Sequence, residues 1–191
     1  MNKQIIGLCG PIGSGKDTIA DILLSEYDFS NRDSFAKSLK DVLSVAFGWD
    51  RDDLEGLTPA SRLWRETTDE WWSNRLDQTI TPRKMMQLWG TECIRMNFHN
   101  EFWLATVEKR INNIFAQNPN AKIVISDVRF PIEAECIKKL GGSIIKIIRS
   151  NVISSTSNHS SETSLNDIEP DFIIYNYGTI EDLKTILKCL L

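Results

Sequence analysis

Short apolar runs alternate with amphipathic stretches along much of the chain. Four runs rich in β-branched residues are bounded by turn residues and predict strands at 4–9, 121–126, 143–148 and 171–175. Helical patterns are predicted at 16–26 and 132–140. A last helix should follow a capping box formed by Thr179 and Asp182. Because nearly continuous apolar strands alternate with helices, we expect an α/β fold with a parallel sheet flanked by helices.

Two segments break this alternation. From about residue 48 to 110 no strand pattern occurs, and the stretch holds all six tryptophans of the chain. We interpret it as a helical insert on a core that comprises about 1–47 and 111–191, within a single domain. The second segment, about 150–164, has seven serines among fifteen residues and no apolar periodicity. This composition predicts a loop.

Composition and charge narrow the class of protein. Of 191 residues, 41% are hydrophobic and 25% charged, which is typical of a globular protein. The formal net charge of -4 argues against broad binding to nucleic acid, which needs a basic surface. No apolar stretch is long enough for a membrane span or a signal peptide. The four cysteines and two histidines show no metal-ligand spacing. We expect a soluble cytoplasmic protein without nucleic-acid or membrane partners.

The most specific motif is a glycine-rich loop between the first predicted strand and the first predicted helix. Residues 10–18 have the sequence GPIGSGKDT. Glycines let the backbone wrap around phosphate groups, while the helix N-terminus and the Lys16 ammonium supply positive charge. The spacing of the glycines and the lysine, and their position between a strand and a helix, are typical of a phosphate-binding loop. The predicted ligand-binding residues are Gly13, Ser14, Gly15, Lys16, Asp17 and Thr18, with Lys16 also a candidate catalytic residue.

Asp17 departs from the usual pattern of such loops. It occupies the position where serine or threonine commonly follows the lysine, and Thr18 comes one residue later. A carboxylate beside phosphate groups is repelled unless a cation lies between them. Asp17 therefore either holds Mg²⁺, directly or through water, or stabilises the helix N-terminus by its charge. Both alternatives stay open, and Thr18 is a candidate phosphate contact and metal ligand.

A second polar pair follows the strand predicted at 121–126. Asp127 and Arg129 come just after its apolar residues, and ligands of open α/β sheets bind at the carboxyl ends of the strands. Asp127 is a candidate second acidic partner for Mg²⁺. Arg129 is a candidate for neutralising charge on a transferring phosphoryl group. The alternative is an ion pair that only fixes a loop.

Polar residues recur every four positions within the insert. Arg83, Gln87, Thr91 and Arg95 would share one face of an α-helix. Two guanidinium groups with an amide and a hydroxyl between them suit a phosphate and a hydrogen-bonding base. Gly90 would let a flat ring approach the backbone closely. On periodicity alone, an ordinary solvated face explains the same pattern.

In combination, these motifs resemble the bacteriophage-type deoxynucleoside monophosphate kinases. The matching segments follow the family order: GPIGSGKDTIAD, FAKSLKD, TPRKMMQLWGTECIR, ISDVRFPIEAE, HSSE and YNYGTIEDL. The resemblance implies a P-loop kinase with a helical monophosphate-binding insert and a lid. It implies ATP as phosphoryl donor, Mg²⁺ as cofactor and a deoxynucleoside monophosphate as acceptor. It also implies a viral protein that acts in the host cytoplasm.

The resemblance further implies roles for individual residues. Residues 13–18 would bind ATP, and Arg129 would lie at the reacting phosphates. The acceptor-site candidates are Lys40, Arg65, Arg83, Gln87, Trp89, Gly90, Thr91, Glu92 and Arg95. The lid would contain His159, Ser161 and Glu162, with Arg149 at its entrance as the candidate charge-neutralising arginine.

Two other functions fit part of the pattern. Animal-type phosphomevalonate kinases share the GKD loop and the aspartate–arginine strand end, but their acceptor has no base for Gln87, Trp89 and Thr91. A regulatory nucleotide switch is the other alternative, although the chain has no Asn-Lys-x-Asp guanine motif. The preferred base does not follow from the sequence. The tryptophan-rich insert offers an apolar surface through which a homodimer could form.

Overall fold

The computed structural model describes residues 5–149 and 164–191, and the chain divides into two compact units. One unit, the α/β unit, comprises the chain up to Ser34 and from Val107 onward. The other, the helical unit, comprises Phe35–Thr106.

The α/β unit is built on a five-stranded parallel sheet with the strand order β2-β3-β1-β4-β5. The strands are β1 (Ile5–Cys9), β2 (Asn31–Asp33), β3 (Ile123–Val128), β4 (Ser143–Ile148) and β5 (Phe172–Tyr175). The predicted parallel sheet is therefore confirmed, and the four predicted strands are β1, β3, β4 and β5.

Helices cover both faces of this sheet. They are α1 (Lys16–Glu26), α7 (Phe102–Gln117), which begins in the helical unit, α8 (Pro131–Lys139) and α9 (Ile180–Leu190). Ile6 and Leu8 of β1 pack with residues of α1 and α9 in one buried cluster. Gly7 faces the other way, because a Cβ added there would lie 2.7 Å from Cδ1 of Ile137 in α8. Alternate residues of β1 thus bury against opposite helical layers.

The last helix begins as the sequence predicts. The Thr179 backbone N–H donates to Asp182 Oδ2 at 2.7 Å, and the Asp182 N–H donates to Thr179 Oγ1 at 3.3 Å. This reciprocal pair is the predicted capping box, and it satisfies two amides of the helix start.

Strand β2 was not predicted, because its sequence Asn-Arg-Asp contains no apolar residue. It pairs with β3, Asn31 lying opposite Ile123. Polar contacts hold its end: Arg110 Nε donates to Asp33 Oδ2 at 2.7 Å, and the Asp33 side chain is only 3% exposed. A buried carboxylate needs such a partner.

The helical unit confirms that the tryptophan-rich stretch is helical. Its elements are α2 (Lys37–Phe47), α3 (Arg51–Glu55), α4 (Pro59–Glu66), α5 (Glu70–Leu76), α6 (Pro82–Gln87) and a π-helical segment, Leu88–Met96. The unit begins at Phe35, before the start predicted at about residue 48. The reason is packing, since α2 contributes Leu39 and Leu43 to a buried cluster with Leu54.

Side-chain caps start four of these short helices: Asp50 for α3, Thr58 for α4, Asp69 for α5 and Thr81 for α6. Within residues 5–149 and 164–191, no helix has the length and apolar character needed to cross a membrane.

Candidate functional site

The glycine-rich loop connects the carboxyl end of β1 to α1. Its glycines adopt backbone angles that other residues rarely reach, with φ of 146° at Gly10, 79° at Gly13 and 106° at Gly15. A Cβ added to Gly10 would lie 2.5 Å from the Ile147 carbonyl oxygen. The loop therefore needs glycine for its conformation and for its close approach to β4.

The loop holds a buried hydroxyl and a helix start that are suited to bind an anion. The Ser14 hydroxyl oxygen is buried and has no hydrogen-bond partner within the part of the chain that the structure describes. Gly15 occupies the N-cap of α1 and supplies no side-chain cap to its first amides. An anion bound at the helix start would satisfy such donors.

Lys16 lies at the first position of α1 and reaches back over the loop. Its ammonium donates to the carbonyl oxygens of Gly10 at 2.7 Å and Pro11 at 2.8 Å. Cys9 directly precedes the loop. Burial raises the pKa of its thiol to about 11, although the positive charges of Lys146 and Lys16 oppose the shift. Cys9 is therefore neutral at physiological pH and adds no negative charge beside the loop.

The structure pairs Asp17 with a cation that the sequence analysis did not single out. Asp17 forms an ion pair with Arg32 of β2, which also donates to Asp21 Oδ1 at 3.0 Å and to Ser126 Oγ at 3.4 Å. Arg32 thus supplies positive charge next to the loop. Binding of Mg²⁺ by Asp17 and Thr18 stays a prediction.

Asp127 and Arg129 lie at the carboxyl end of β3, although both were expected just past the strand. Asp127 is part of the strand, and Arg129 is the first residue after it. The backbone N–H groups of Arg129 and Phe130 donate to Glu133 Oε2 at 2.8 and 3.2 Å. Glu133 is buried, so the turn that carries Arg129 is fixed by a carboxylate inside the protein. The catalytic role of Arg129 and metal binding by Asp127 stay predictions.

Only one lid candidate belongs to the described residues. Arg149 directly follows β4 and donates through a guanidinium nitrogen to the Gly13 carbonyl oxygen at 3.4 Å. Its side chain thus reaches the phosphate loop. His159, Ser161 and Glu162 lie outside the described residues.

Three arginines cluster in the helical unit. The Arg65 Nε is buried and finds no hydrogen-bond partner within 5–149 and 164–191, although the guanidinium donates to the Glu55 carbonyl oxygen at 3.4 Å. Burial lowers the pKa of Arg65, and the positive charges of Arg83 and Arg62 add to this effect. A half-buried guanidinium with a buried Nε, close to two other positive charges, suits an anionic ligand. Arg65 and Arg83 were predicted; Arg62 was not.

Arg62 and Arg83 each have protein partners beside Arg65. Arg62 Nε donates to the Gly56 carbonyl oxygen at 2.9 Å, and Arg83 Nε forms an ion pair with Glu66 at 2.8 Å. A side chain at position 56 would overlap the Arg65 guanidinium. Gly56 therefore makes room for the central arginine of the cluster.

Lys40, another predicted acceptor-site residue, is paired with Glu55. The Glu55 carboxylate also accepts from Arg51 at 2.6 Å, and Arg51 bridges to Asp41 at 2.6 Å. Burial acts to raise the pKa of Glu55, but attraction to Lys40 and Arg51 outweighs it, so the pKa lies below its ordinary value. This network holds the Lys40 ammonium within the helical unit.

The Glu55 network predicts a pH-dependent stability. Because the folded-state pKa of Glu55 is depressed, its stabilisation is present above the unfolded pKa of about 4.5 and is lost as pH falls through the folded pKa. Glu55→Gln should lower the free energy of unfolding by about 1 kcal/mol or less near neutral pH, since the pair is partly exposed. Urea unfolding at neutral and acidic pH measures this. If the difference in unfolding free energy between wild type and Glu55→Gln does not become smaller at acidic pH, the Glu55 network is not the source of the stabilisation.

The four residues of the stripe predicted within the insert do not lie on a single α-helix. Arg83 and Gln87 lie in α6, but the hydrogen bonding changes from α to π at Leu88, so Thr91 and Arg95 belong to the π-helical segment. A π-helix turns less per residue than an α-helix, but residues four apart still lie near one another on its surface. That the four residues share one face stays a prediction. Segments with π-helical hydrogen bonding are frequent at functional sites.

Trp89 and Gly90 have packing partners inside the helical unit. The Trp89 ring meets Phe47 edge to face with centroids 5.8 Å apart. A Cβ on Gly90 would lie 2.9 Å from Leu39 Cδ2, and the Gly90 carbonyl accepts from Trp103 Nε1 at 2.9 Å. The protein's own Leu39 therefore explains the close approach that the sequence analysis assigned to a flat ligand ring. Thr91 is half-buried and Glu92 exposed.

No group of three or more histidine, cysteine, aspartate or glutamate side chains arranged to hold a metal ion occurs among the residues with described positions. Asp17, Thr18 and Asp127 provide two carboxylates and a hydroxyl. This donor set fits Mg²⁺, which binds one or two carboxylates together with substrate phosphates.

A parallel sheet with a glycine-rich loop and lysine between β1 and α1, joined to a helical insert, defines a P-loop kinase. The model of the deoxynucleotide monophosphate kinase family matches residues 61–187. A protein of Acanthamoeba polyphaga mimivirus named for this activity is 35% identical over 97% of this chain and 95% of its own. The chain belongs to the deoxynucleotide monophosphate kinase family.

A second relative agrees with the family, and a solved structure agrees with the fold. The deoxynucleoside-5'-monophosphate kinase of Escherichia phage T5 is 26% identical over 84% of each chain. The solved structure of TT1252 from Thermus thermophilus superposes with a TM-score of 0.51 at 18% identity, covering 98% of this chain and 96% of that one. The structural likeness concerns the fold alone.

Proposed function

We propose that this protein transfers the γ-phosphoryl group of ATP to a deoxynucleoside monophosphate, yielding ADP and a deoxynucleoside diphosphate for DNA precursor synthesis. The observation that carries the proposal is the phosphate loop, whose Ser14 hydroxyl has no hydrogen-bond partner among the described residues, in a chain of the deoxynucleotide monophosphate kinase family. Family membership favours this function over phosphomevalonate phosphorylation and over a nucleotide switch.

The α/β unit supplies the donor site. The start of α1 offers amide N–H groups to phosphate oxygens, and the Ser14 hydroxyl adds a donor. Lys16 exchanges its two carbonyl partners for the β and γ oxygens of ATP. Arg129 and Arg149 neutralise negative charge that builds up at the reacting phosphates.

Mg²⁺ belongs to the proposal as a cofactor, and when bound it neutralises charge on the donor phosphates. Asp17, Thr18 and Asp127 are the residues that would hold it. Arg32 orients the Asp17 carboxylate through their ion pair.

The helical unit supplies the acceptor site. The Arg65 guanidinium has a buried donor to offer to a monophosphate, and Arg83 and Arg62 add positive charge beside it. Gln87 is exposed on α6 and offers an amide that can both donate to and accept from a base edge. Lys40, Thr91, Glu92 and Arg95 complete the proposed set. Trp89 and Gly90 contribute through the packing that shapes the π-helical segment.

The cellular setting and the oligomeric state are further parts of the proposal. Relatives in a mimivirus and a phage fit a viral enzyme that acts in the host cytoplasm. The helical unit exposes large apolar side chains through which two copies could pair: Leu57, Leu63, Trp71, Met96 and Phe98.

Substitutions in the acceptor site should separate phosphate recognition from base recognition. Arg65→Ala and Arg83→Ala should raise the KM for every deoxynucleoside monophosphate by about tenfold or more, because each removes a charge-assisted contact. Gln87→Ala should instead change the ranking among the four bases, since it removes hydrogen bonds to a base edge. Steady-state kinetics with each acceptor measures both effects.

The matched control is Arg75→Ala, which removes an exposed arginine of α5 outside the proposed site. ATP binding without acceptor should stay unchanged in all four variants, because the proposed donor site belongs to the other unit. Acceptor constants equal to those of wild type in the Arg65, Arg83 and Gln87 variants would show that these residues do not bind the acceptor.

A further inference from the structure

A buried amide just after the carboxyl end of β5 contacts the phosphate loop. Asn176 follows β5 directly and is 5% exposed, whereas its neighbours Tyr175 and Tyr177 are 53% and 62% exposed. Its backbone N–H donates to the Ile148 carbonyl at 2.8 Å, which continues the pairing of β4 with β5. The strand end thus places this one side chain inward.

The Asn176 side chain bonds to the loop backbone. Its Nδ2 donates to the Ser14 carbonyl oxygen at 2.8 Å, in a buried hydrogen bond. A Cβ added to Gly15 would lie 2.5 Å from the same nitrogen. The amide is therefore in direct contact with the Ser14–Gly15 peptide unit.

This bond sets the direction of a backbone N–H. The carbonyl and N–H of one trans peptide unit point in opposite directions. Holding the Ser14 carbonyl toward Asn176 directs the Gly15 N–H away from Asn176. Gly13 and Gly15 have φ of 79° and 106°. Because glycine backbone adopts many conformations, a hydrogen bond from outside the loop is needed to fix the orientation of this peptide unit.

We infer that Asn176 is a positioning residue, which fixes the Ser14–Gly15 peptide unit so that the Gly15 N–H stays available to a phosphate group. The inference rests on the proposed binding of a nucleotide at this loop. It requires a hydrogen-bond donor at the end of the position-176 side chain. An aspartate has the same shape, but it donates only when protonated.

The test is ADP binding by Asn176→Asp, measured by calorimetry at about pH 8 and about pH 5.5. At the higher pH, binding should be at least about tenfold weaker than in wild type, because a carboxylate faces the Ser14 carbonyl. At the lower pH, most of the loss should be recovered, since burial favours the protonated carboxyl. Asn176→Ala lacks the donor at every pH and should bind weakly at both. The exposed Asn113→Asp on α7 is the matched control and should follow wild type.

Circular dichroism and thermal unfolding at each pH report on the fold. Wild-type affinity for ADP in Asn176→Ala would overturn the inference. If Asn176→Asp unfolds at the higher pH, the ADP affinity of Asn176→Ala is the test. Equal weakness of a folded Asn176→Asp at both pH values would also overturn it. If wild type itself fails to bind ADP, the proposed function fails together with the inference. ADP binding by wild type with no pH-dependent recovery in the aspartate variant defeats the inference alone.

Discussion

Replacement of Lys16 by alanine should lower the rate of phosphoryl transfer by about a hundred- to a thousandfold while the fold stays intact. The ammonium lies over the phosphate loop, 2.7 and 2.8 Å from two loop carbonyls. With ATP bound, the same group neutralises charge on the β and γ oxygens as it builds up in the transition state. Alanine leaves that charge without a partner.

Single-turnover kinetics with saturating ATP and acceptor measures this effect, and circular dichroism checks the fold. The matched control is Lys139→Ala, which removes an exposed lysine from the last turn of α8. Full turnover by a folded Lys16→Ala would refute the assignment of the donor site to this loop.

Replacement of Arg129 by lysine should lower kcat roughly a thousandfold, almost as much as replacement by alanine. A guanidinium bridges two phosphate oxygens in a fixed geometry, whereas an ammonium is a single flexible point charge. The turn that carries Arg129 is held by the buried Glu133 through two backbone N–H groups. The guanidinium is therefore presented from a fixed backbone.

The comparison of Arg129→Lys with Arg129→Ala separates charge from geometry. Steady-state kinetics should show the loss in kcat, with a smaller effect on the KM for ATP. Activity of the lysine variant within a few-fold of wild type would mean that the guanidinium geometry is not required.

The sequence predicts those parts of the fold that depend on local patterns. The strands β1, β3, β4 and β5 are apolar runs between turn residues, and the phosphate loop is a contiguous motif. The capping box of Thr179 and Asp182 is likewise local. Strand β2 was not predicted, because the contact that stabilises its Asp33 comes from Arg110, which is 77 positions away in the chain and is not visible in a local pattern.

The site was predicted less completely, because its side chains meet through the tertiary fold. Arg32 and Asn176 contact the phosphate loop from β2 and from the end of β5. Arg32 lies in none of the motifs, and the YNYGTIEDL segment that contains Asn176 does not by itself indicate this contact. The regular spacing of Arg83, Gln87, Thr91 and Arg95 suggested an α-helix, but the backbone changes to π-helical hydrogen bonding at Leu88. Periodicity alone does not distinguish these two helix types.

The most direct test of the proposed function is a product assay with purified protein, ATP, Mg²⁺ and each of the four deoxynucleoside monophosphates in turn. Parallel reactions contain the matching ribonucleotides, phosphomevalonate or no acceptor, and Lys16→Ala serves as the inactive control. We expect at least one deoxynucleoside monophosphate to be converted to its diphosphate with an equal amount of ADP, and little ADP to form without acceptor. ADP release that does not depend on an acceptor, or transfer to phosphomevalonate and to no nucleotide, would contradict the proposed function.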